Sequence, residues 1–227
     1  MNNPIKSLSR REWALWLASL AVVLIANLMT PELDPLTVTA ALVGVTSLVF
    51  AAKGNVWAQI LMIVFSILYG VISFRFYYWG EMITYLGMTL PMAVWSTVTW
   101  LKNPSKENGS EVAIQTLARR HLALLAVSTA AVTAVFYCIL KSLDTPNLFF
   151  STVSVITSFL AAALTMLRSS YYAMGYAAND VVLIVLWVMA SMENPAYIPV
   201  AVNFAIFLLN GLYGFISWKK REVLQTA

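Results

Sequence analysis

The sequence predicts an all-α membrane protein of about eight transmembrane helices: two parallel three-helix repeats, a helix that joins them, and an extra N-terminal helix. Three observations predict it. Of the 227 residues, 60% are hydrophobic and only 11% are charged, too few to cover the surface of a soluble domain of this length. A helix needs roughly 20 apolar residues to cross a hydrocarbon core of about 30 Å, and eight stretches qualify. Finally, the basic residues fall almost entirely into alternate loops.

The first stretch, about 12–30, follows Lys6, Arg10 and Arg11. A cleaved signal peptide is the competing reading. Its length, Trp13, Trp16 and Asn27, and the sequence Pro31-Glu32-Leu33-Asp34-Pro35 in place of a small-residue cleavage site, favour a retained helix. The next two stretches, about 36–53 and 55–76, are so close that they form a tight hairpin, and the fourth covers about 82–101. A polar connector from about 103 to 120 divides the chain into halves of similar size. Beyond it the fifth stretch, about 121–143, holds Cys138, the lone cysteine, which rules out an internal disulfide or a cysteine metal cluster. The remaining stretches are about 149–168, 171–191 and 197–218, with a second tight hairpin at 168–171. One transmembrane domain thus divides into 1–34, 35–102, 103–143 and 144–227.

Alternating the loops across a membrane puts Lys6, Arg10, Arg11, Lys53, Lys102, Lys106, Arg119, Arg120, Arg168, Lys219, Lys220 and Arg221 on one side. Only Arg75 and Lys141 fall on the other. Acidic residues show no such bias. Lys and Arg set orientation, so the 12-residue side is cytoplasmic and holds both termini. The pI of about 9.2 needs no nucleic-acid partner, because these basic loops explain it. The sequence contains no phosphate loop, no metal-ligand set and no nucleophile motif. The single His121 sits at a helix end, and no lysine lies mid-span. An enzyme, a metal or a cofactor is therefore not expected.

Internal similarity points to a repeat. Residues 45–52 of the second span resemble 156–163 of the sixth, and 96–102 of the fourth resemble 214–220 of the eighth. The shift in the second match is 118 residues, and the same shift pairs Tyr69 with Trp187. Spans 2–4 then repeat as spans 6–8 in the same direction through the membrane, a known transporter architecture.

Polar residues inside spans mark the candidate site. Asp180 is the one charged residue well inside a predicted span, where a bare charge costs about 2.5–3.5 kcal/mol. It must be neutralised, paired, or face a cavity. Asn179 precedes it, and Tyr176 and Trp187 share its helix face. The eighth span carries a stripe of Asn203, Asn210 and Tyr213, with Asn210 at the depth of Asp180. Gln59, Ser66 and Tyr69 of the third span and Tyr85 and Thr89 of the fourth supply the opposing surface. Rings beside amides and a carboxylate suit a flat, polar heterocycle. A proton-coupled carrier would instead use Asp180 as its titrating group.

Ala52-Lys53-Gly54-Asn55-x-Trp57, Tyr78-Trp79-Gly80-Glu81-Met82, Pro91-Met92 leading to Trp100-Leu101-Lys102-Asn103, Thr145-Pro146-Asn147 and Tyr176-Ala177-Ala178-Asn179-Asp180 occur in that order. In these motifs the chain resembles the Pnu-type vitamin-precursor transporters over nearly its whole length. That family's PnuC branch carries nicotinamide riboside, and relatives carry thiamine or riboflavin. The resemblance implies a SWEET-like fold and facilitated diffusion into the cell across the plasma membrane. It further implies homotrimers and a cytoplasmic kinase that traps the substrate by phosphorylation. Asp180 and Asn179 match the family's site motif in the seventh span, and the Tyr176 ring replaces one of that motif's tryptophans. Ala173 and Tyr176 stand where the family often has two tryptophans, and Ala93 where it often has glutamine.

Overall fold

A computed structural model describes residues 4–29, 34–106 and 109–226. Pro31, Glu32, Leu33 and Glu107 of the sequence reading lie outside the described residues. Nine α-helices are present among those described. They are α1 (Arg10–Leu28), α2 (Pro35–Ala52), α3 (Trp57–Arg75), α4 (Trp79–Thr84), α5 (Leu90–Lys102), α6 (Arg119–Ser142), α7 (Leu148–Met166), α8 (Tyr172–Glu193) and α9 (Ile198–Thr226). Seven are long and apolar enough to cross a membrane. The fourth span is broken: α4 and α5 are joined by a π turn, Tyr85–Thr89. Pro91 explains the break. It has no N–H to donate to the carbonyl four residues back and its ring crowds that carbonyl, so the preceding turn widens.

Local chemistry sets the helix ends. Ser9 and Glu12 form a capping box on α1, with the Glu12 carboxylate accepting from the Ser9 N–H at 2.7 Å. Asp34 caps α2 by accepting from the N–H groups of Leu36 and Thr37, each at 3.2 Å, with Pro35 in the first turn. The predicted tight hairpins are present. Gly54 turns the first with φ +65°, and Arg168 takes φ +57° in the second. Gly175 lets α8 lie directly on α7, since a Cβ there would come within 2.8 Å of the Ala161 Cα.

Six spans close into a ring in which α2 packs on α3, α3 on α5, α5 on α7, α7 on α8, α8 on α9, and α9 back on α2. α1 lies outside the ring against α2 and α9, and α6 lies outside against α7. These six are the spans that the sequence reading assigned to its two triplets. α6 buries little of itself: Leu140 is its one fully enclosed side chain.

The connector between α5 and α6 differs from the expected solvated loop. Ser105 and Val112 are buried. The Arg221 side chain reaches both Glu111, at 2.9 Å, and the Val112 carbonyl, and Gln225 accepts from the Ile114 N–H at 2.8 Å. Polar side chains on α9, which runs eight residues past the predicted end of its span, supply these anchors. Composition alone carries no sign of them.

Candidate functional site

Midway through the ring lies a cavity of about 30 Å³ lined by Gly44 and Leu48 of α2, Met62 and Phe65 of α3, Tyr85 and Thr89 of the π turn, Ser158 of α7, Tyr176, Asn179 and Asp180 of α8, and Phe204 and Phe207 of α9. That volume holds about two waters, so a nucleoside-sized ligand would have to move side chains to enter. The broken fourth span presents Tyr85 here, and π turns often occur where a helix serves a site.

Asp180 is buried at 5% exposure, and its Oδ2 has no hydrogen-bond partner among the described residues. Its Oδ2 faces Gly211 on α9. Among the described residues, no Lys or Arg pairs with it. Asn179, by contrast, is pinned: its Oδ1 accepts from Thr157 and Ser158 of α7, each at 2.9 Å, and from Ser154 at 3.4 Å. The hydroxyls of α7 hold the amide oxygen, and with it the turn of α8 that carries Asp180.

Rings close the space towards the face away from the basic loops. Tyr69 packs on Phe65, Tyr85 and Phe204, with the Tyr85 ring 4.4 Å away. The Trp187 Nε1–H donates to the Tyr69 hydroxyl at 2.8 Å. Beyond them Phe76, Tyr78 and Tyr197, all half-buried, ring Trp187, with Tyr78 4.8 Å from it. Towards the basic face, buried Trp100 and Trp218 pack at 5.6 Å with Tyr172 against Trp218. Trp100 donates its indole N–H to the Thr165 carbonyl at 3.0 Å and Trp218 donates to the Ala51 carbonyl at 2.7 Å. Each tryptophan ends one triplet and bonds the end of the first span of the other. The residues paired by the 118-residue shift therefore touch: Tyr69 with Trp187, and Trp100 with Trp218.

Of the sequence-predicted site residues, Tyr85, Tyr176, Asn179 and Asp180 meet at the cavity. Tyr69 and Asn203 line a second, narrower space on the far side of Phe65, Phe204 and Phe207, and Trp187 stands beside it through Tyr69. Asn210 and Gln59, although buried, line neither space. The α9 stripe instead seams to α1. Asn203 accepts from Asn27 at 3.4 Å, Asn210 donates to Ser19 at 2.9 Å, and the Tyr213 hydroxyl donates to Glu12 at 3.2 Å. Glu12, Ser19 and Asn27 lie seven and then eight residues apart on α1, one helix face. The shared face of the three α9 residues was readable in the sequence; that its partner is α1 required the packing.

One residue escaped the sequence reading. Glu81, set just outside the predicted fourth span, is at 3% exposure inside the protein. α4 begins three residues earlier than expected and turns the carboxylate towards α7, where Ser154 donates to its Oε1 at 3.3 Å. The only available signal was its place in Tyr78-Trp79-Gly80-Glu81-Met82, among rings and a small residue.

The model of the nicotinamide mononucleotide transporter family matches residues 34–220. The nicotinamide riboside transporter PnuC of Neisseria mucosa is 26% identical over 212 residues, covering 91% of this chain and 80% of that protein. The nicotinamide riboside transporter PnuC of Haemophilus influenzae is 25% identical over 207 residues, covering 90% and 88%. The crystal structure of the vitamin B3 transporter PnuC superposes with a TM-score of 0.84 over 96% of this chain and 94% of that one, at 24% identity; it has the same fold. With its family model spanning all but the first helix and the basic tail, the chain belongs to the nicotinamide mononucleotide transporter family, whose members are multi-pass membrane transporters and not enzymes.

Proposed function

We propose that the chain carries nicotinamide riboside across the membrane. One observation supports the riboside above all: the central cavity offers the unpartnered Asp180 carboxylate, and no Lys, Arg or His lines it. A mononucleotide would bring its phosphate into an enclosed, low-dielectric space against a carboxylate, where like charges repel strongly. The riboside has no phosphate, and its pyridinium ring is a cation. Asp180 offsets that charge or binds ribose hydroxyls, Asn179 orders the turn beside it, and Tyr85 and Tyr176 stack on the flat ring. Tyr69, Trp187 and Asn203 act on the path between the cavity and the far face, while Asn210 and Gln59 support the helices around it.

Transport is facilitated diffusion by rocking of the two triplets, with the Tyr69–Trp187 and Trp100–Trp218 contacts opening in turn. The basic face is cytoplasmic, both termini lie there, and the membrane is the plasma membrane. A cytoplasmic kinase that phosphorylates the riboside makes uptake one-way. The scarcely buried α6 supplies the surface for the homotrimer that the family likeness implies.

Thermal stabilisation of the purified protein tests the substrate, because a ligand stabilises only the state it binds. Nicotinamide riboside is expected to raise Tm, with the mononucleotide and riboflavin ineffective. Stabilisation by thiamine alone would move the assignment to the other cationic vitamin. Uptake driven into liposomes by an imposed pH difference would replace facilitation with proton coupling.

A further inference from the structure

Glu81 has no part in the cavity, yet it carries the marks of a ligand group. It is nine-tenths and more buried, its Oε2 has no hydrogen-bond partner among the described residues, and no Lys or Arg pairs with it. Its one bond is shared. The Ser154 hydroxyl lies 3.3 Å from Glu81 and 3.4 Å from the Asn179 amide oxygen, and its single proton serves one acceptor at a time. The carboxylate is thus under-satisfied in a place where that is costly.

Its surroundings are aromatic. Tyr78 and Tyr85 stand three residues before and four residues after Glu81, about one helical turn to either side of it. Tyr78 belongs, with half-buried Phe76 and Tyr197, to the cluster of rings packed on buried Trp187. Tyr85 borders the cavity that Asp180 also lines. Rings and a carboxylate with a free oxygen form the arrangement that takes an organic cation from water, the ring faces and the anion both stabilising positive charge. Arg75, the basic residue near this face in sequence, is drawn to Asp34 at 3.7 Å instead.

We propose that Glu81 and the Tyr78–Trp187 cluster form an entry site for cationic rings. It lies one step outside the cavity, and Glu81 sets the preference for charged over neutral nucleosides. This rests on the riboside reading above. The chain hands the cation from Glu81 to Asp180 past Tyr85, so the positive ring is never left without a carboxylate.

The test compares uptake into liposomes of nicotinamide riboside and of its 1,4-dihydro form, which has the same ribose and no ring charge, each corrected for protein-free vesicles. Glu81→Gln is expected to lower the ratio of cationic to neutral uptake about tenfold, while Glu81→Asp keeps the ratio of the unmodified chain. A ratio unchanged in Glu81→Gln, or Gln and Asp variants that behave alike, overturns the proposal and makes Glu81 a folding element. If the unmodified chain moves neither nucleoside, the substrate reading itself fails, and the entry site falls with it.

Discussion

Helices α8 and α9 carry polar residues of the same kinds at similar depths, and the fold uses them differently. On α9, Asn203, Asn210 and Tyr213 each find a polar partner on α1, although the Asn210 Oδ1 has none among the described residues. On α8, the Asn179 amide oxygen accepts from α7 hydroxyls, but Asp180 beside it keeps an oxygen with no partner among the described residues. Glu12 sharpens the contrast. Like Asp180 it is a buried acid, but it accepts from the Ser9 N–H, pairs with Lys53 at 3.3 Å and accepts from Tyr213. A buried polar group that is satisfied holds helices together, and one left short is available to a ligand.

The largest expected effect lies on the unsatisfied side. Asp180→Asn removes a charged partner worth about 2 kcal/mol to a bound cation, a roughly thirtyfold loss of transport, with Tm unchanged. If Asp180→Asn instead lowers Tm and leaves transport per folded molecule intact, Asp180 belongs with Glu12. Next comes Tyr69→Phe, which strands the buried Trp187 N–H. It is expected to cost about 1–2 kcal/mol of stability, read as a lower denaturation midpoint in detergent. Glu12→Gln keeps the shape but loses the ion pair, so a cost of about 1 kcal/mol is expected with transport per folded molecule retained. The smallest effect is Asn210→Ala. Bonds between membrane helices average about 0.6 kcal/mol, so a slight loss of thermal stability and normal transport are expected. A transport defect in Asn210→Ala without a stability change would put Asn210 back in the path.

Much of the architecture was legible because the bilayer imposes its rules on short segments. Span lengths follow from hydrocarbon thickness, and the basic residues sort by loop, so α1, α2, α3 and α6 to α9 fell where hydropathy put them. The broken fourth span was less legible, since Pro91 marks a disturbance but not the π turn that aims Tyr85 inward. The 118-residue shift paired Tyr69 with Trp187 and Trp100 with Trp218. That each pair touches depends on the ring closing, which no single helix encodes. Asn210 went to the seam and not to the cavity for the same kind of reason. A helix face is known from spacing, but its neighbour is not.

By itself the sequence determined the number of spans, the sorting of basic residues between faces and the presence of a costly carboxylate in the seventh span. Each is a local consequence of moving a segment from water into hydrocarbon. Only the tertiary structure decided which polar groups pair and which remain free. It sent the α9 stripe to α1, brought Glu81 inside against Ser154, and left Asp180 facing a cavity. Satisfaction of a hydrogen bond depends on distances of a few ångströms between helices far apart in the chain, and those distances exist only once the ring of six has closed.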